Sequence, residues 1–469
     1  MIASDNNMSS IPNGFLTLNE ICQKVGGCLF NAPNEHLAMD SVATDSRLVK
    51  ADQLFIAIKG ERFDAHDFVT DLVGKAGAAL VSKKIDCDLP QIVVEDTLQA
   101  LADLAGAWRK QFTKPLIALT GSNGKTTLKE MIAAILSLKG KTLATHGNLN
   151  NDIGMPLTLL RLRDEHDFAV IEMGANHFGE IEFLTKIAQP DVAVLNNAGA
   201  AHLEGFINLE GVAKAKGEIF IGLGTQGVAV INADDTFADY WKDSNLDREV
   251  IAFGINNEAK ISGRLLSDGG LVINNGSTEI RVNLKLLGRH NAMNALAATA
   301  ATTALGIELK TIVEGLETML PVKGRLAPVT GINNSQILDD TYNANPDSVV
   351  AALTVLAQKK NTVFVLGDLG ELGENPEKVH EKIGEKAKAV GINHMYCLGE
   401  YSAKACGSFG TNGKSFNEVN DLLASLKKDV NESLPDNVTI LVKGSRFMKM
   451  ERVVEALSAD YNDQLGETA

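Results

Sequence analysis

The segment Pro115–Thr127, PLIALTGSNGKTT, ends an apolar run in a glycine-bracketed lysine and two threonines, and a helical pattern begins where it stops. Leu128, Met131, Ile132, Ile135 and Leu136 recur at the spacing of one helix face. A helix entered directly from such a loop turns its unpaired N–H groups and positive dipole end toward the loop, which makes the junction a seat for a polyphosphate. The usual pattern G-x-x-x-x-G-K-[ST] has glycine where this chain has Leu119, so the pattern fails while the strand, loop and helix context holds. On that context Lys125 reaches the β- and γ-phosphates of a nucleotide and Thr126 ligates Mg2+. The competing reading is a glycine-rich turn between an ordinary strand and helix.

At 469 residues the chain has room for about three domains. Short β-like runs at 53–58, 78–81 and 91–94, then a helical pattern over 97–112, suggest a small α/β domain spanning 1–113. From Pro115 onward, apolar runs at 168–171, 191–195 and 228–231 alternate with helical stretches, as in a doubly wound parallel sheet. A glycine-rich, strand-like patch near 261–287 precedes a small-residue helix over 291–305, and Pro321–Arg325 reads as a hinge that closes a central domain at 114–320. Runs at 363–366, 395–398 and 439–442, with helices expected near Pro346, Pro376 and Ser445, make 321–469 a third, Rossmann-like α/β domain. The formal net charge of −15 argues against nucleic acid or an anionic membrane as the main partner. The five cysteines, Cys22, Cys28, Cys87, Cys397 and Cys406, are scattered without a C-x-x-C, which suggests neither a disulfide framework nor a zinc site. The polar N-terminus lacks a basic and apolar signal pattern, and no run approaches the roughly 20 apolar residues of a membrane span. A cytoplasmic protein is expected.

Glu172 ends the run FAVIEMG, where a nucleotide enzyme needs an acid for Mg2+, although a solvated strand-end carboxylate fits equally. His202 follows the next strand in LNNAGAAHLEG and is expected at the same sheet edge. Lys216 falls on the apolar face formed by Val212, Ile219, Phe220 and Leu223. A lysine there either snorkels to the rim or stays desolvated and neutral, open to CO2 and so to a carbamate. His290, Asn291 and Asn294 open the small-residue helix, and the two amides either meet a nucleobase or cap the helix. Arg325 is a phosphate clamp that acts on domain closure, or a surface linker charge. Asn345 and Pro346 form an N-cap pair, with Asp340, Tyr342 and Asn343 just outside the helix. Ser445, with Lys443 and Arg446 nearby, is an anion site at a helix start or a simple cap.

Taken in order, TGSNGKTT, EMG, NNAGAAHLEGF, KAKGEIF, GRHNAMNALAA, KGR and DDTYNANP resemble the Mur ligase family, ATP-dependent amide-bond-forming enzymes of peptidoglycan synthesis. Family members carry the same loop without the first glycine. GNLNNDIGMPLTLL, EMGANHFGEI, AHLEGF, GDLGELG and KGSRFMKME are similar to the branch that adds D-alanyl-D-alanine to UDP-N-acetylmuramoyl-tripeptide, and the DNPR-type motif of the sibling that adds the third amino acid is missing. The resemblance implies that the first domain holds the UDP-sugar peptide, the central one ATP, and the third the dipeptide. It places Thr44, Asp45, Ser46 and Arg47 on the uridine nucleotide, and Asn148, Asn150 and Asn151 on the substrate side. Gly121, Ser122, Asn123, Gly124, Lys125, Thr126 and Thr127 cradle ATP, with Asn291 and Asn294 by the adenine and Arg325 and Asp340 completing the site. Thr126, Glu172, His202 and a carbamylated Lys216 form the metal side. Tyr342, Asn343, Lys443, Ser445 and Arg446 remain for the third-domain substrate. The reaction implied proceeds through an acyl phosphate. A folylpolyglutamate-type sibling would lack the TDSR and GNLNN segments, and a P-loop switch protein would hydrolyse ATP without an amine acceptor.

Overall fold

The computed structural model describes residues 15–60, 63–200 and 203–459. Its first sheet comprises β1 (Cys28–Phe30), β2 (Ser41–Ala43), β3 (Gln53–Ile56), β4 (Ala78–Val81) and β5 (Gln91–Val93), in the order β1-β5-β4-β3-β2. Asp96 caps the helix Thr97–Arg109 by accepting from the N–H groups of Leu98 and Gln99. That helix is apolar on more than one side because it packs two ways. Trp108 is fully buried and donates its indole N–H to Leu162 O at 3.1 Å, and one apolar cluster runs from Leu54 and Leu80 through Leu104 and Trp108 to Leu116 and Leu195. The first and second sheets therefore share a core.

The second sheet contains β6 (Leu116–Thr120), β7 (Thr142–Ala144), β8 (Phe168–Glu172), β9 (Val192–Leu195), β10 (Val228–Asn232), β11 (Glu249–Gly254), β12 (Ile261–Leu265), β13 (Leu271–Asn274) and β14 (Glu279–Val282). Their order is β14-β13-β12-β11-β10-β9-β6-β8-β7, parallel from β7 across to β12, and the glycine-rich patch forms the antiparallel end. The parallel strands β6, β9 and β10 are buried along their whole length, as expected for a sheet covered by helices on both faces. β6 lies between β8 and β9, so the chain winds away from it in both directions and leaves a crevice at its carboxyl end.

The third sheet has β15 (Ala327–Thr330), β16 (Gln336–Asp340), β17 (Thr362–Gly367), β18 (His394–Leu398), β19 (Gly413–Phe416) and β20 (Thr439–Lys443), ordered β15-β16-β20-β17-β18-β19, with only the β15–β16 pair antiparallel. The expected α/β class with a central doubly wound sheet is what the structure has. The helix expected at Ser445 is not there: residues 446–448 make one 3-10 turn, Lys449 takes a left-handed φ of 50°, and an α-helix follows only at Glu451–Leu457. Among the described residues, no helix is long and apolar enough to cross a membrane.

Candidate active site

β6 delivers the loop at its carboxyl end into the helix Lys125–Ser137. Gly124 precedes that helix with φ of 80°, and a Cβ on it would lie 2.5 Å from Asn294 Oδ1, so the turn admits only glycine. Having no side chain, Gly124 caps none of the first-turn N–H groups, and Lys125, Thr126 and Thr127 line a cavity of about 690 Å3. This is the cradle an anionic ligand requires. Lys125 Nζ is folded back onto Gly121 O at 2.6 Å. Burial lowers its pKa below the usual lysine value, Glu172 opposing that shift and Arg325 adding to it.

β8 ends in Glu172, which is 2% exposed and doubly held: Thr126 Oγ1 donates to its Oε2 at 3.1 Å and Asn150 Nδ2 to its Oε1 at 2.8 Å. A threonine hydroxyl and a carboxylate side by side form a hard oxygen set of the kind Mg2+ selects. Asn148 and Asn151 line the same cavity, and Asn151 Oδ1 accepts from Gly154 N at 2.9 Å.

β9 leads into Asn196 and Asn197, whose pattern in the sequence carries no signal of a role. Asn123 N donates to Asn197 Oδ1 at 2.8 Å, and Asn123 O accepts from Asn196 Nδ2 at 3.1 Å and Asn197 Nδ2 at 3.0 Å. Asn196 also donates to Asn294 Oδ1 at 2.8 Å, and Asn294 Nδ2 to Asn291 Oδ1 at 3.2 Å. Asn291 and His290 line the cavity, whereas Asn294 is buried behind the loop and supports it. The helix Arg289–Ala304 has Gly288 at its N-cap and no side-chain cap, so capping does not account for the two amides.

The third sheet closes the cavity from the other side. Arg325 lies over the Tyr342 ring at 4.0 Å to its centroid and directs Nη2 to Thr126 Oγ1 at 3.5 Å. Asp340 faces the cavity but is paired with Lys443 at 2.6 Å, a buried ion pair in which Lys443 also donates to Asn343 O at 3.0 Å. Lys443, expected beside a substrate, is occupied in holding Asp340. Ser445 Oγ accepts from Gly370 N at 2.9 Å and donates to Ala344 O at 3.2 Å, so it ties two cavity-lining loops together rather than starting a helix. Arg446 pairs with Glu451 at 3.0 Å on the cavity wall, beside an exposed Phe447.

Two sets of expected residues stand apart. Lys216 ends the helix Leu209–Gly217, 1% exposed, and donates to Ala175 O at 3.3 Å with its ammonium over the Phe206 ring at 5.4 Å. Ala175 lines the cavity and Lys216 lies behind it. Burial, with the Lys125 charge, pulls the Lys216 pKa down to about 7, while Glu180 and Glu218 resist. Thr44, Asp45, Ser46 and Arg47 follow β2 and do not line this cavity, and Arg47 is bound to Asp45 at 2.7 Å. His202 lies outside the described residues.

The chain matches the Mur ligase middle domain over residues 119–302 and the Mur ligase glutamate ligase domain over residues 324–446. The chain belongs to the Mur ligase family. This Mur ligase is 45% identical over 449 residues to UDP-N-acetylmuramoyl-tripeptide--D-alanyl-D-alanine ligase of Escherichia coli (strain K12), covering 94% of this chain and 98% of that one. Its likeness to the enzyme of the same name in Bacillus subtilis (strain 168) is 34% over 454 residues, 94% of this chain and 98% of the other. Among solved structures, MurF from Acinetobacter baumannii superposes with a TM-score of 0.90 at 37% identity, covering 96% of this chain and 99% of that one. MurF ligase from Thermotoga maritima in complex with ADP gives 0.79 at 28% identity, with 92% and 98% covered.

Proposed function

We propose that this Mur ligase joins D-alanyl-D-alanine to UDP-N-acetylmuramoyl-tripeptide, using ATP, through an acyl phosphate on the tripeptide's terminal carboxylate. The observation that carries the reading is the 45% identity, over 94% of the chain, to a ligase named for those two substrates. The geometry supplies what such a reaction needs. Both reactants and the triphosphate are anionic, and the cavity sets Lys125 from the second sheet and Arg325 from the third on either side of Thr126. Lys125, released from Gly121 O, neutralises the transferring phosphoryl group, and Arg325 adds a planar donor pair. Thr126 and Glu172, with Asn150 orienting the carboxylate, would hold Mg2+, whose contribution is to offset phosphate charge. Attack by the dipeptide's amine on the acyl phosphate forms the amide and releases phosphate, with no enzyme nucleophile required. The first sheet, carrying Thr44, Asp45, Ser46 and Arg47, is assigned to the UDP-sugar end, and the wall around Tyr342, Asn343 and Arg446 to the dipeptide. Its use of ATP and a nucleotide-activated substrate supports reading the reaction as a cytoplasmic one.

Mass spectrometry of products from the tripeptide nucleotide, ATP and D-alanyl-D-alanine tests the reading directly: the pentapeptide nucleotide is the expected product. Phosphate release is expected to require both acceptor and dipeptide, and vigorous ATP hydrolysis without either would favour a switch-type ATPase. Arg325→Ala is expected to lower turnover roughly 10²-fold while changing ATP affinity measured without the other substrates by less than about threefold, because Arg325 arrives with the third sheet. Equal losses in both would put Arg325 in a preformed nucleotide pocket.

A further inference from the structure

The helix Pro346–Leu356 begins at the cleft, and its first residues touch the second sheet's loops at two points. Asn345 uses both ends of its amide. Its Oδ1 accepts from Ser348 N at 2.9 Å and caps the helix, while its Nδ2 donates to Asn123 Oδ1 at 2.8 Å, on the phosphate loop itself. Two residues on, the Asp347 carboxylate accepts from Ala200 N at 2.9 Å, just past the end of β9. A carboxylate beside a polyanion seat weakens anion binding, so nucleotide affinity does not explain Asp347. A peptide N–H on the opposite side of the cleft does.

We propose that Asn345 and Asp347 are positioning residues that clasp the third domain onto the phosphate loop, through Asn123 and Ala200, and so hold Arg325 against Thr126 in the closed form. Asn123 is the point where the clasp meets the asparagine network under the loop, since its N–H and C=O are bound by Asn196 and Asn197. Closure is thus registered on the loop that seats the phosphates rather than on a remote surface. Capping alone needs only the Asn345 oxygen and leaves its N–H groups without a role.

Because cap and clasp use different atoms, they separate experimentally. Asn345→Ser keeps an oxygen cap of equal quality but is too short to reach Asn123. Asp347→Ala removes the acceptor for Ala200 N, and Asp347→Asn keeps one. In the ligand-free protein the open and closed forms exchange, ATP entering the open one, and small-angle scattering is expected to show a larger mean radius of gyration in Asn345→Ser and Asp347→Ala, largest when the two are combined, with Asp347→Asn close to wild type. Far-UV circular dichroism is expected to stay unchanged, and if Asp347→Ala does not fold, Asn345→Ser carries the test alone. Turnover by the combined variant is expected to fall roughly tenfold, with ADP affinity in the absence of other substrates within about twofold of wild type. The kinetic part rests on the ligase reading above. Scattering needs no substrate, so its result stands whichever reaction the cleft performs. Unchanged scattering in the combined variant overturns the proposal, as does a loss of ADP affinity in step with turnover, which would make the pair a support for nucleotide binding instead.

Discussion

Lys125→Ala is expected to reduce turnover by roughly 10²–10³-fold while the melting temperature moves by less than about 4 °C. The two halves follow from one environment. Burial already opposes the charge on Lys125, so truncation removes an unfavourable desolvation together with the hydrogen bond to Gly121 O, and the net effect on folding is small. In the reaction the same recessed position makes the ammonium effective, because water does not screen it from the γ-phosphate. Lys125→Arg is expected to restore little, since a guanidinium is longer and planar where the loop leaves room for a point charge. A variant that keeps more than about 5% of wild-type turnover would return the segment to a glycine-rich turn without phosphate chemistry.

Why this loop was legible in the sequence and other parts of the cleft were not is a matter of range. Strand, loop and helix lie within one short stretch, and Gly124 marks the turn by what it lacks. Glu172 and Lys216 were also locatable, one from its place at the end of a buried run and the other from helix periodicity. The network under the loop joins Asn123 and the helical Asn294, both marked in the sequence, through Asn196 and Asn197, and an asparagine in a loop gives no sign of whether it faces solvent or another amide. β16 was missed for a related reason. Its sequence, QILDD, ends in two acids that propensity places outside a central strand, and it is stable there only because Lys443 pairs with Asp340 and Gly324 N and the Thr341 hydroxyl satisfy Asp339. Ser445 read as a helix start because a small polar residue followed a strand and glycine. Its hydroxyl is instead committed to Gly370 and Ala344, partners 75 and 101 residues earlier in the chain.

Lys216→Ala is expected to lose turnover roughly 10²-fold, with part of it restored by acetate at high concentration, if Lys216 acts as a carbamate. The amine must be neutral to attack CO2; the N–C bond forms, a proton leaves the nitrogen, and the side chain ends as a carboxylate. An ordinary lysine is almost wholly ammonium at pH 7.5, whereas one with a pKa of about 7 is roughly three-quarters neutral there. The site produces that shift by burial at the end of the helix Leu209–Gly217, with the Lys125 charge adding to it, and Lys216 donates to the carbonyl of Ala175. Carbamylation would replace a charge that the site disfavours with an anion near Lys125, at the back of the wall that Ala175 presents to the cavity. Carbon-13 NMR in 13CO2-enriched buffer is expected to show a carbamate resonance that is absent from Lys216→Ala and that weakens, at fixed dissolved CO2, as the pH falls through about 7 and the amine takes up its proton. The carbamate fails if Lys216→Ala turns over normally, or if the wild type takes up no label under conditions where it is fully active. Acetate separates the remaining case, since a lysine needed only for packing between Phe206 and Ala175 leaves a gap that added carboxylate fills without restoring turnover.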